Sequence, residues 1–86
     1  MELEWLPHAR ERRRQRGISE ALVRQTVNDP QQVTGRGAHK VFQSRYFDSA
    51  RRKEYLLRVF AEVRGETAVI LSAYRTSKLR KYWRVE

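Results

Sequence analysis

Between Glu54 and Val63 the chain alternates with a period of two. Leu57, Val59, Ala61 and Val63 share one parity, and Leu56, Arg58, Phe60 and Glu62 share the other. The first set is apolar throughout and is expected to face a core under helices. The second mixes apolar, charged and aromatic groups, as a half-exposed sheet face does. After a turn at Arg64-Gly65-Glu66 the pattern resumes from Thr67 to Arg75, with Val69, Leu71 and Ala73 on the core parity and Ile70, Ser72 and Tyr74 on the other. Lys40 to Asp48 reads as the preceding strand, joined to the next by a charged hairpin loop at Ser49 to Lys53. Both of its parities carry aromatics, so its orientation stays open. A weaker strand near Gln32 to Thr34 is expected at the sheet edge, before a turn marked by Gly35 and Gly37.

The first third of the chain carries helix signals instead. Pro7 suits the first turn of a helix that runs to Arg16 and stops at Gly17, a residue fitted to the left-handed position after a helix. Ala9 is its only clear apolar position, so this helix must be held by its neighbours, with the stems of Arg12, Arg13 and Arg16 available to pack. Ser19 stands as the N-cap of a second helix, flanked by Ile18 and Val23 in the two positions of a hydrophobic staple. Leu22, Val23, Thr26 and Val27 form its apolar face, which ends at Asn28-Asp29-Pro30. Met1 to Leu6 is a short extended lead-in. Ser77 to Arg84 is a short last helix, with Leu79, Tyr82 and Trp83 on one face. Together these elements predict a single domain over 1–86 of the α+β class: two N-terminal helices, an antiparallel sheet of three to four strands with helices on one side, and a short C-terminal helix.

Charge changes the picture more than any other feature of composition. The 19 Lys and Arg outnumber the 10 Asp and Glu, for a net charge of +9, and 15 of the 19 are arginine. Arginine's planar fork is the side chain best matched to phosphate. The charge is also clustered. Residues 10–16 hold five arginines against the single acid Glu11, residues 75–84 hold five basic groups and no acid, and Arg51, Arg52 and Lys53 form a third run. One such run is often only a solvated face; dense runs flanking one small core point to RNA or another polyanion. With no cysteine, disulfides and thiolate metal sites are excluded, which fits a reducing cytoplasm. No apolar run approaches a membrane span and the N-terminus has no signal-peptide core, so a cytoplasmic protein with no membrane partner is expected.

Cleavage of RNA without a metal requires a group to take the 2′-hydroxyl proton, a group to protonate the leaving oxygen, and fixed positive charge on the phosphorane. His8 and His39 are the only histidines. His39 sits beside a glycine turn and reads as a surface residue. His8 has Arg12 one helical turn on, so imidazole and guanidinium can face one phosphate. Arg58, in mid-strand, either binds phosphate or pairs with Glu62. Tyr74 and Arg75 end the last strand, where binding groups tend to be presented, and Tyr74 can stack on a base, donate a proton or fill the sheet edge. His8, Arg12, Arg58 and Tyr74 are therefore the candidate catalytic set, with Arg13, Arg16, Arg75, Lys78 and Lys81 as candidate RNA contacts. No Gly-rich phosphate loop, His/Cys cluster or Ser/His/Asp set is present, and no cofactor or metal is expected.

The order of motifs also carries a resemblance. His8-Ala-x-x-Arg12, Arg16-Gly17-Ile18-Ser19, Asn28-Asp29-Pro30, Tyr55-Leu-Leu-Arg58-Val59 and a late Tyr74 resemble an uncharacterised bacterial domain family with a His-Ala-x-x-Arg opening. The ending Ile70-Leu-Ser-Ala-Tyr74-Arg75-Thr-Ser-Lys78, with Tyr82 beyond it, is similar to that of BrnT-type toxins, small ribonucleases with a RelE-like fold. The chain departs from that ending in placing Tyr74 directly after Ser72-Ala73 and Arg80 where the toxins have a glutamate. The resemblance implies a RelE/BrnT-like fold, metal-independent cleavage of free or ribosome-associated RNA, and an acidic antitoxin-like partner. Two functions stand side by side at this point: a toxin-like endoribonuclease, and a non-catalytic RNA-binding or protein-interaction module on the same fold.

Overall fold

The computed structural model describes residues 1–85. In chain order the elements are β1 (Glu2–Trp5), α1 (Pro7–Gln15), α2 (Glu20–Asn28), β2 (Gln32–Arg36), β3 (His39–Asp48), β4 (Lys53–Arg64), β5 (Thr67–Thr76) and α3 (Leu79–Tyr82). The strands form one five-stranded sheet in the order β1-β5-β4-β3-β2.

Two features of this architecture correct the expected fold class. The sheet is mixed, because β1 pairs with β5 in parallel, Trp5 standing beside Ile70, while β5-β4, β4-β3 and β3-β2 are antiparallel. A strand, not a helix, therefore opens the fold. Four residues are too few for alternation to separate a strand from an extended lead-in, and their partner lies more than sixty residues away. The helices also lie on both sides of the sheet. The α1 and α2 helices pack on the face of Leu57 and Val59, while α3 lies on the opposite face, where the Tyr82 ring covers the Arg58 guanidinium at 4.3 Å. With these two findings the arrangement of two leading helices on an antiparallel sheet is set aside.

The helical third is built as its local signals predict. Gly17 closes α1 at φ 68. The Ser19 hydroxyl accepts the Leu22 amide at 3.0 Å, and Ile18 and Val23 on either side of that cap are both buried. Only Ala9 of α1 is buried, so the helix is held by its ends: Pro7 starts it, the Arg16 and Gly17 amides return to its last carbonyls, and Arg12, Arg13 and Arg14 meet the negative end of its dipole. The core joins Ile18, Val23 and Val27 to Phe42, Leu57, Val59 and Ala61.

Register orients the strand that alternation left open. Phe42 stands opposite Val59 and faces the helices, and Gln43 stands opposite Arg58 on the other face. In β5 the assigned parity holds only at its far end. Ala68 and Ile70, not Val69 and Leu71, join the helix-side core, whereas Ala73 lies on it as expected. The reason is a β-bulge: Phe60 pairs with Ser72 but Ala61 pairs with Ile70, so Leu71 is an extra residue that shifts the alternation by one. The other face of β4 is less exposed than its mixed composition implied, since Leu56 is fully buried there.

The staple and cap carry separable contributions. Ile18→Ala should destabilise the fold by about 2–5 kcal/mol, the usual cost of emptying a buried aliphatic site. Ser19→Ala should cost about 1 kcal/mol, as loss of an N-cap does. Urea unfolding followed by circular dichroism distinguishes the two; an Ile18→Ala midpoint equal to that of Ser19→Ala would remove Ile18 from the core.

Candidate nucleic-acid interface

The site begins with a vacancy beside β5. Because β1 ends at Trp5 and the chain turns into α1, no strand among the described residues lies next to the outer side of β5 beyond Ile70. Side chains take the place of a strand there. Arg16 Nη1 donates to the Ala73 carbonyl at 2.8 Å, and Arg75 Nη1 donates to the Gly17 carbonyl at 3.4 Å, lacing the end of α1 to the end of β5. Between them lies an open groove of about 610 Å³ lined by Gln15, Arg16, Gly17, Arg51, Tyr74 and Arg75. Three guanidinium groups and, among the described residues, no carboxylate line it. The nearest acid joined to them, Asp48, is held by Arg51 at 3.0 Å and sits below the usual carboxylate range, chiefly because the Arg51 amide donates to it. Arg75 also lies 5.6 Å from the Tyr55 ring centroid, which braces its fork without neutralising it.

Tyr74 connects this groove to a second cluster on the opposite face of the sheet. Arg58 Nη1 donates to the Tyr74 hydroxyl at 2.7 Å, and Arg58 Nε donates to Gln43 Oε1 at 3.1 Å. Three rings surround the guanidinium: Tyr82 at 4.3 Å, Phe60 at 5.2 Å and Tyr74 at 5.8 Å. Glu62 is not its partner, since Glu62 pairs with Arg64 at 3.0 Å, and no carboxylate forms an ion pair with Arg58 among the described residues. Gln43, 0% exposed, spends its amide nitrogen on Gln32 Oε1 at 2.7 Å and the Tyr82 carbonyl at 3.1 Å. The Tyr82 phenol is held below its ordinary value by hydrogen bonding from Lys81 first and from the Tyr74 hydroxyl second, with the charges of Lys81 and Arg58 adding to both.

The structure thus brings some of the nominated residues together and separates others. Arg58 and Tyr74 are bonded, and Tyr74, Arg16 and Arg75 share the groove. His8 and Arg12 are exposed on α1, and His8 is seven residues before Gln15, about 10 Å along a helix axis. His8 does not line the groove. His39 is exposed at the start of β3, opposite Glu62. Lys78, just before α3, and Lys81, on it, are exposed, with Lys81 Nζ 5.3 Å from the Tyr82 ring. Arg13 is engaged internally: it is 13% exposed at its side chain, donates to the Ile18 carbonyl at 2.6 Å, meets Glu20 at 3.5 Å and lies over Trp5. Sequence reasoning missed Arg51, Gln43 and Tyr82 as site residues. Arg51 was visible as part of a basic run, but a strand glutamine such as Gln43 carries no signal until its register neighbour is known.

Arg13 and Arg14 are neighbours with opposite roles, which yields a test. Arg13→Ala leaves the Ile18 carbonyl without its charged donor and should cost about 1.5–3 kcal/mol. Arg14→Ala removes only an exposed pair with Glu11 and should change stability by less than about 0.5 kcal/mol. Thermal melts of the two variants, run beside the parent, decide between this assignment and a purely surface role for Arg13.

Among the described residues no helix is long and apolar enough to cross a membrane. No curated protein and no solved structure matches the chain. One family model does match, over residues 5–75, from the Trp5 anchor of β1 to the Arg75 of the groove, and its description is a domain of unknown function, DUF4258. The chain belongs to the DUF4258 family.

Proposed function

We propose that the protein is a toxin-like, metal-independent endoribonuclease of the cytoplasm, holding RNA phosphates in the groove of Arg16, Arg51 and Arg75. The observation that carries this reading is Tyr74, which lines a groove of three arginines with no carboxylate among its described lining residues and accepts a hydrogen bond from Arg58 at 2.7 Å. With Arg58 donating to the phenol oxygen, the Tyr74 proton is turned toward Tyr82 in the free protein, and in this reading it swings to a phosphate in the groove, the acceptor that the surrounding charge favours. In the reaction the 2′-oxygen attacks phosphorus and the bond from phosphorus to the 5′-oxygen breaks. Tyr74 delivers a proton to that leaving oxygen. Tyr82, its ring centroid 6.3 Å from that of Tyr74, is the neighbouring group that in its phenolate form would receive the 2′-hydroxyl proton. The products are a 2′,3′-cyclic phosphate and a 5′-hydroxyl. His8, set apart along α1, contributes with Arg12 to the basic approach rather than to proton transfer in this reading.

The toxin part rests on the resemblance of the Ile70–Lys78 ending to BrnT-type ribonucleases, and it implies an acidic antitoxin-like partner complementary to a chain of net charge +9. A second reading, an RNA-binding module without catalysis, is favoured by one observation: Arg58 is already engaged by Gln43 and Tyr74 and wrapped by three rings, as a purely structural arginine would be.

Purified protein incubated with RNA in the presence of chelator separates the readings. Cleavage to 2′,3′-cyclic ends is expected, with Tyr74→Phe slower by roughly 10²–10⁴-fold at little cost in binding, and His8→Ala close to the parent. Binding should weaken with salt, and Arg16→Ala or Arg75→Ala should each reduce the salt slope by about one phosphate contact. Binding without cleavage on any RNA, ribosomes included, selects the module; absence of binding even in low salt removes both.

A further inference from the structure

The β3–β4 hairpin carries a feature that the groove does not use. Phe47 is 65% exposed, whereas every other Phe, Tyr and Trp is buried or half-buried. It stands opposite Glu54, at the root of a loop that presents Arg51, Arg52 and Lys53 in succession, all exposed. None of the other exposed large apolar side chains, Met1, Val33 and Val85, lies on this hairpin, so Phe47 is a lone exposed ring beside a cationic loop and not part of an apolar patch.

The loop is also fixed in shape. The Asp48 carboxylate accepts the Arg51 amide and the Arg51 guanidinium, both at 3.0 Å, and so ties the two ends of the turn. Arg52 adopts φ 54, the only positive φ outside glycine among the described residues. Glycine would take that conformation at lower cost, yet the chain keeps a long cationic side chain there. Strain retained at an exposed position points to a use for the side chain.

We propose that this hairpin is a preformed arm for single-stranded RNA, in which Phe47 stacks on an unpaired base while Arg51, Arg52 and Lys53 take the adjoining phosphates. An exposed ring next to fixed cations is the combination that binds single strands, since every base has a face to stack and every nucleotide a phosphate to pair. In a duplex the bases already stack on one another and cannot reach the ring. Arg51 belongs to both the arm and the groove, so a strand held by the hairpin continues toward Tyr74. The inference rests on the RNA reading given above and adds the strand state of the substrate.

Fluorescence anisotropy on 2′-O-methylated RNA, which cannot be cleaved through its 2′-position, tests the arm with three labelled ligands: a single strand, the duplex of the same sequence, and a heparin fragment without bases. The parent should bind all three. Phe47→Leu keeps an apolar side chain but no ring, and should weaken single-strand binding by roughly 5- to 150-fold while leaving duplex and heparin within about twofold. Arg52→Gly should weaken all three ligands by several-fold and melt at or above the parent temperature. Equal single-strand binding by Phe47→Leu and the parent, or an equal loss on all three ligands, overturns the stacking role while the groove reading stands. Arg52→Gly that binds like the parent or melts below it overturns the account of the strained turn. A parent that binds none of the three overturns the RNA reading itself.

Discussion

A fully buried amide holds the candidate site of this protein together. Gln43 has no access to water, and a buried amide is tolerated only when its hydrogen-bonding groups are met. Its three bonds go to three different elements: Gln32 on β2, Arg58 on β4 and the Tyr82 carbonyl on α3. A helix of one turn cannot persist by its own backbone bonds, so α3 exists because of what grips it. Gln32 then grips the next residues, accepting the Arg84 amide at 3.0 Å and donating to the Arg84 carbonyl at 2.6 Å. Through this chain of amides the C-terminal segment becomes the wall that shields Arg58, and the position of Tyr82 beside Tyr74 follows.

The surplus of positive charge is managed by rings as much as by acids. Arg10, Arg13, Arg14, Arg45, Arg51 and Arg64 find carboxylates, but with 10 acids for 19 bases many cannot. Arg10 and Arg13 lie over Trp5, Arg45 over Trp83, Arg75 over Tyr55, and Arg58 among Phe60, Tyr74 and Tyr82. A ring face attracts a guanidinium without cancelling its charge or claiming all its donors. Arginines held this way stay available to a phosphate while their orientation is settled beforehand. Arg58 and Arg75 belong to the candidate site on this ground, whereas Arg51 joins it by its place in the groove although Asp48 holds one side of its fork.

Much of this was legible in the residues themselves, and the failures have a common cause. Ser19 and its staple, the stop at Gly17 and the alternation of β4 are local signals, readable within a few residues, and the structure realises each. Arg58 and Tyr74 could be nominated from their strand positions, but not their bond, which depends on register between β4 and β5. The strand nature of β1, the side taken by α3 and the internal engagement of Arg13 all depend on partners distant in sequence or across a turn. Arg13 is the instructive case: within a run of arginines nothing local distinguishes the one that turns inward to the Ile18 carbonyl from those left in solvent.

The extra residue at Leu71 gives β5 two independent phases. Had the strand continued in simple alternation from Ile70 opposite Ala61, Leu71 would stand opposite Phe60, Ser72 opposite Val59, Ala73 opposite Arg58 and Tyr74 opposite Leu57. The phenol would then be driven into the aliphatic layer beneath the helices, and the guanidinium of Arg58 would meet a methyl group. By slipping one position, the strand lets its first half obey the core and its second half obey the polar face. Substitutions that tune the packing of Ala68 and Ile70 are thereby uncoupled from the alignment of Tyr74, so one strand carries two sets of demands that uninterrupted alternation would have set against each other.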